Sequence, residues 1–218
     1  FTPWYIGYVI LFNMLVGPVF SAGSVTSERE RQTLDLLLTT IISPWQILWG
    51  KLISGLRVSS VLTSFLMWPV ILACVMIPIG LAYNLPTVAG YFIVVVLTCL
   101  TTATAALFCS VIFRKTSVSL MTSYLVIVVL FMAPLAMRFF AETFFPNSPA
   151  AEAVRFVGVF SPIAAVFALP LDIDLTNTTR DADLPLFFSY VSFTTAYLAS
   201  LLGLMIWQFH TRWRVAQE

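Results

Sequence analysis

Long apolar runs broken by short polar clusters make up this chain. No charge occurs from Phe1 to Ser27, and none from Val58 to Phe113. A helix that crosses a bilayer needs about 20 mostly apolar residues. The pattern predicts five such spans, at 4–22, 56–82, 87–112, 118–138 and 186–209. The 58–113 run has 56 residues, too many for one crossing at about 1.5 Å per residue. It has to turn, and "YNLP" (Tyr83–Pro86) is its only cluster that joins turn chemistry to an aromatic interface anchor. The expected fold class is an all-α polytopic membrane protein. Before the last span lies a mixed segment, 139–184. Its apolar stretch "SPIAAVFALPL" (Ser161–Leu171) is only 11 residues long, a length that suits a re-entrant or interfacial helix.

One polar cluster differs from the rest. In "SERERQTLDLLLTTIISPWQ" five charges fall between Glu28 and Asp35. Ser27 and Glu30 have the capping-box spacing, which predicts a helix over about 28–42. Glu28 with Arg31, and Arg31 with Asp35, are spaced for same-face pairs. Leu34, Leu37, Leu38 and Ile41 form one apolar stripe. Ser43, Pro44 and Gln46 mark a second helix start. Trp45, Trp49 and Lys51 then favour the headgroup region, so Pro44–Arg57 reads as an interfacial elbow. Gly50 and Gly55 allow a bend or close packing there. Two readings of the 28–42 helix stay open: it docks on a protein, or it lies on lipid. Its mixed charge favours a protein, because lipid-surface helices are richer in Lys and Arg.

Composition agrees with a membrane protein. The chain is 60% hydrophobic and 10% charged, against about 25% charged for soluble domains. A net charge of +1 offers no basic field for nucleic acid, and no nucleic-acid partner is expected. Arg29, Arg31, Lys51, Arg57, Arg114, Lys115, Arg212 and Arg214 fall on one set of connections. Arg138, Arg155 and Arg180 fall on the other, among six acids. The positive-inside rule puts the first set in the cytoplasm, so 28–57, 113–117 and the C-terminus are expected inside. Residues 83–86 and 139–184 are then expected outside, with the bacterial inner membrane as the setting. Phe1 is left outside without a signal segment, and a further helix upstream is expected.

The span interiors hold no Asp, Glu, Lys, Arg or His, so no ion-coupling relay or intramembrane catalytic group is expected. "GKL" at Gly50 lacks the rest of a phosphate loop. Energy for uphill transport would have to arrive through a partner, and no enzymatic activity or cofactor is expected in this chain. Asn13, Thr98, Thr101 and Thr102 remain as polar groups inside spans. Helix packing and the lining of a path are both open for them. Pro69, Pro78 and Pro134 are expected to kink their helices. Cys74, Cys99 and Cys109 read as buried thiols, His210 as a headgroup-facing residue, and the outer acids Asp172 and Asp174 as a solvated loop. Asn177 matches the glycosylation pattern, which carries no meaning in a bacterial inner membrane.

The segment "SERERQTLDLLLTTIISPWQILWGKL" resembles the signature of type-2 ABC transporter permeases, the membrane subunits of ATP-binding-cassette exporters. The likeness is specific over about 23–56 and rests on topology elsewhere. It implies six spans per subunit, with one upstream of this sequence, and a cytoplasmic coupling helix seated on a separate ATPase. It also implies a second permease subunit, and ATP with Mg bound in the partner. Carried over by residue, it assigns Glu28, Glu30, Arg31, Thr33, Leu34 and Leu37 to the ATPase contact. Gln32 stands where that family often has Gly, and is expected to stiffen the helix. Ile41 stands where Pro is common, and lets the helix run closer to Ser43. The alternative function is a membrane anchor or assembly scaffold that recruits a cytoplasmic protein through the same helix without transport.

Overall fold

The computed structural model describes residues 2–32, 44–76, 78–144, 158–169 and 184–213. These form helix α1 (Thr2–Ala22), the short α2 (Thr26–Glu30), α3 (Pro44–Met76) and α4 (Pro78–Ile112). Helix α5 (Thr116–Ile127) continues through a π-helical turn (Val128–Met132) into α6 (Ala133–Phe144). A 3-10 turn (Gly158–Phe160), α7 (Pro162–Phe167) and α8 (Leu184–Trp213) complete the order. No strand occurs among the described residues. Five helical stretches are long and apolar enough to cross a membrane, so the chain is an all-helical polytopic membrane protein.

Three expectations about the elements need correction. The expected turn at Tyr83–Pro86 lies inside α4, with Pro86 in the helix interior. Helix α3 instead ends at Met76 and α4 opens at Pro78. Proline suits a first helical position, where its missing N–H would have no partner anyway. Pro69 is held within the unbroken α3, and Pro134 follows directly on the π turn, a common accommodation of a break in the helical ladder. The elbow expected over Pro44–Arg57 is no separate piece: α3 runs for 33 residues. At about 1.5 Å per residue that is about 50 Å, well beyond a hydrocarbon core of about 30 Å. The surplus length accommodates Trp45 and Trp49, both exposed and stacked edge-to-face at 5.2 Å.

The described residues divide into two compact units. Unit 2 comprises 14–61, 99–127 and 195–218, and Arg29, Arg31, Lys51, Arg57, Arg114, Lys115 and Arg212 of the set expected in the cytoplasm belong to it; Arg214 lies outside the described residues. Its core is Val25, Leu48, Leu52, Ala103, Leu107, Val111 and Met205, flanked by Leu56, Phe108 and Leu202. Residues Thr101 to Leu107 of α4 are buried at every position, so α4 is enclosed on all sides here. Small Ala and Thr side chains allow such close approach without a bulky ridge. Gly55 serves the same end. A Cβ there would lie 2.6 Å from Ser21 Oγ, which makes it a contact point between α3 and α1 rather than a bend.

Unit 1 comprises 1–13, 62–98 and 128–194. The acidic stretch expected outside, 170–183 with Asp172, Asp174 and Asn177, lies outside the described residues. The short apolar helix expected near Ser161 is present as α7, with Ala164, Ala165 and Val166 buried. Tyr91 donates its hydroxyl proton to the Leu169 carbonyl. A Cβ at Gly90 would sit 2.7 Å from Leu169 Cδ1. Trp4 meets Phe167 edge-to-face at 5.2 Å, and Phe160 meets Phe193 at 4.5 Å. These contacts seat α7 and the residues flanking it against α4, α1 and α8.

Candidate functional site

The site is the charged junction around α2, all of it within unit 2. Its first half is neutral and buried. Val25 and Thr26 are 2% and 0% exposed, which buries the start of the helix. Buried N–H groups at a helix start need acceptors. Val25 is a valine with no capping oxygen, and Ser110 Oγ of α4 fills that role. It accepts from Val25 N at 3.1 Å and from Thr26 N at 3.1 Å. The end of α1 is closed in the same manner. The Ala22 carbonyl accepts from Thr26 Oγ1 at 3.1 Å and from Ser119 Oγ at 3.0 Å. Ser24 Oγ donates to the Ser21 carbonyl at 2.8 Å.

The capping box expected at Ser27 and Glu30 is not formed. Hydrogen bonding begins earlier, with Ser27 N donating to Gly23 O at 3.0 Å, so Ser27 lies inside α2. Packing of Val25 and Thr26 under α4 sets the helix start, and Glu30 is freed for another task. Three consecutive charges then reach three different helices. Glu28 forms an ion pair with Lys51 of α3. Arg29 extends its guanidinium over the end of α4, donating to Phe113 O at 3.0 Å and Val111 O at 3.5 Å. A cation suits that end, where carbonyls lack helical partners and the dipole is negative. Glu30 accepts from the Thr116 backbone N–H at 2.7 Å, the first residue of α5, where a carboxylate suits the positive end. That amide is the main cause holding the Glu30 carboxyl below its ordinary value of 4.5. The expected Glu28–Arg31 pair is therefore replaced on the Glu28 side by Lys51.

Helix α2 stops after Glu30. Arg31 is exposed and still helical in dihedral angles, at φ −83° and ψ 0°. Gln32 follows with φ 57° and donates its N–H to Arg29 O at 3.2 Å. This left-handed residue just past the end is the common helix terminator, usually glycine. A helix running unbroken over 28–42 is thereby excluded, and Gln32 breaks the helix where stiffening was expected. Thr33, Leu34 and Leu37, the remaining residues assigned to the ATPase contact, lie outside the described residues.

The candidate lining groups are buried in their own units. Asn13, Thr98, Thr101 and Thr102 are each 1% exposed or less. Thr98 Oγ1 donates to Val94 O at 2.7 Å and lies 3.3 Å from the Tyr190 hydroxyl. Thr102 Oγ1 donates to Cys99 O at 3.1 Å. Both hydroxyls bond back to a carbonyl of their own helix, α4. Cys99 and Cys109 are buried free thiols, as expected. Ser110, Arg29 and Thr116 are the site residues that pattern reading missed. Ser110 lies inside an apolar run, with Val111, Ile112 and Phe113 after it, and gave no sign. The turn "RKTS" was the available signal for Thr116, since a helix start beside a basic turn calls for an acceptor from elsewhere.

These features define a polytopic helical membrane protein with a short, charged helix tethered beyond the end of α1. The model of the ABC-2 family transporter protein family matches residues 5–212. The chain belongs to that family and is a permease component of an ABC transporter, a membrane part of systems whose general partner is an ATP-binding-cassette ATPase. Neither the curated proteins nor the solved structures contain a match.

Proposed function

We propose that this chain is the permease subunit of an ATP-driven exporter. It forms the translocation path as a dimer with a second permease chain and couples to a separate ATPase through the 28–42 segment. ATP and Mg bind in that partner, and this chain supplies no catalytic group. The observation that carries the reading is the tethering of α2. The segment after it leaves from a short helix fixed to α1, α3, α4 and α5, so a force on that segment reaches four helices. Coupling requires a contact that differs between two states of the partner, and a tethered lever transmits such a difference. The gathering of the described basic residues of that set in unit 2 supports a cytoplasmic side for this junction and an inner-membrane setting.

The test is charge reversal at Arg31, which is exposed and leads into the segment. Arg31→Glu in the full chain should keep the unfolding midpoint but reduce the amount of ATPase that co-purifies. Unchanged recovery of the ATPase, with unchanged ATP hydrolysis in the complex, would remove Arg31 from the coupling contact. ATPase recovery without any ATP-driven transport would favour a non-transporting scaffold.

A further inference from the structure

We propose that Glu28, Arg29 and Glu30 are positioning residues that clamp α2 to three different helices of its own subunit, so that recognition of the ATPase begins at Arg31. The resemblance to type-2 permeases assigns Glu28 and Glu30 to the partner contact. Their partners here point the other way. Glu28 is taken up by Lys51, and both side chains are about three-quarters covered. Arg29 is spread over the terminal carbonyls of α4. Glu30 caps α5 through Thr116. In these contacts each charge meets the end, or the first turns, of a different helix.

The arrangement has a mechanical consequence. Three anchors at successive residues fix both the position and the rotation of α2, because the three side chains leave the helix about 100° apart. The helical conformation then ends at Gln32, whose φ is 57°. Arg31 is therefore the first charged residue on the outgoing side of the clamp. In an exporter of the kind proposed above, the clamp decides how much of the ATPase's movement reaches the spans, while Arg31 and the segment beyond decide whether the ATPase binds. The second half of that statement rests on the proposed function; the clamp does not.

The test is a charge swap in the full-length chain, in detergent or nanodiscs: Glu28→Lys, Lys51→Glu, and the two together. Each single change should lower the unfolding midpoint by about 2–4 °C. In the reconstituted complex it should also lower transport per ATP hydrolysed several-fold. ATPase recovery should hold within twofold in all three variants. The double variant should regain both the midpoint and the coupling ratio, since the pair is restored with its signs exchanged. Loss of ATPase recovery on Glu28→Lys, with no regain in the double variant, would overturn the clamp and return Glu28 to the partner surface. Should the reversals prevent folding, Glu28→Gln, Lys51→Gln and their combination give the same reading. The double loss should then equal either single loss, and additive losses would overturn the pairing. If the unaltered chain recovers no ATPase, the proposed function fails while the midpoints still decide the clamp.

Discussion

Among the described residues, Gln32 is the only non-glycine with a positive φ. An L-residue in this region crowds its Cβ against its own carbonyl, at about 1–2 kcal/mol. Gln32→Gly should remove that strain. Glycine gives back part of the gain through greater freedom in the unfolded chain, so a net rise of about 0.5–1 kcal/mol is expected. Thermal or denaturant unfolding of the purified chain measures it, and a lowered midpoint would mean that the left-handed turn is not populated. The same residue shows why a likeness in sequence can be read the wrong way. By the resemblance, Gly at that place reads as a weak point in a helix, and Gln as its repair. The geometry makes it a terminator, for which Gly is the favoured residue.

At the scale of elements, strong hydrophobic contrast made the spans legible and its absence hid the joints. Helix α1 covers Thr2–Ala22 beside the expected 4–22, and α8 covers Leu184–Trp213 beside 186–209. The helix after "RKTS" opens at Thr116, but its helical run continues to Phe144, past the expected 138. The junction of α3 and α4 lies within a run without charge. There the choice rests on proline placement alone, and two sites compete. "YNLP" has the turn residues, but Pro78 can open a helix at no loss of hydrogen bonding, whereas a turn at Pro86 would break a ladder that extends to Ile112. Hydrogen exchange tells the two apart. The amides of Ala82, Tyr83, Asn84 and Leu85 lie beyond the first four positions of α4 and should be protected by helical bonds. Rapid exchange at all four would move the turn back to Tyr83–Pro86. The capping of α2 by Ser110 belongs to the same class of hidden feature. A serine 84 or 85 positions away leaves no local signature, while the capping box at Ser27 was a local pattern overruled by packing.

On the scale of the molecule, charge distribution and family membership agree. The five apolar stretches and the segregation of basic residues were legible because the bilayer imposes them on composition. The wiring of Glu28, Arg29 and Glu30 was not, because three adjacent charges look alike in sequence and differ only in what the fold brings beside them. On the proposal above, energy enters this permease where the chain leaves the α2 clamp. A photo-crosslinking amino acid placed at Arg31, and separately at Leu37, in the full chain within native membranes tests it directly. Irradiation followed by mass spectrometry should recover an ATP-binding-cassette ATPase from both positions, and the same probe at Phe65, exposed on α3, should not. Crosslinks from Arg31 and Leu37 to lipid alone, or to proteins without an ATP-binding cassette, would contradict the account.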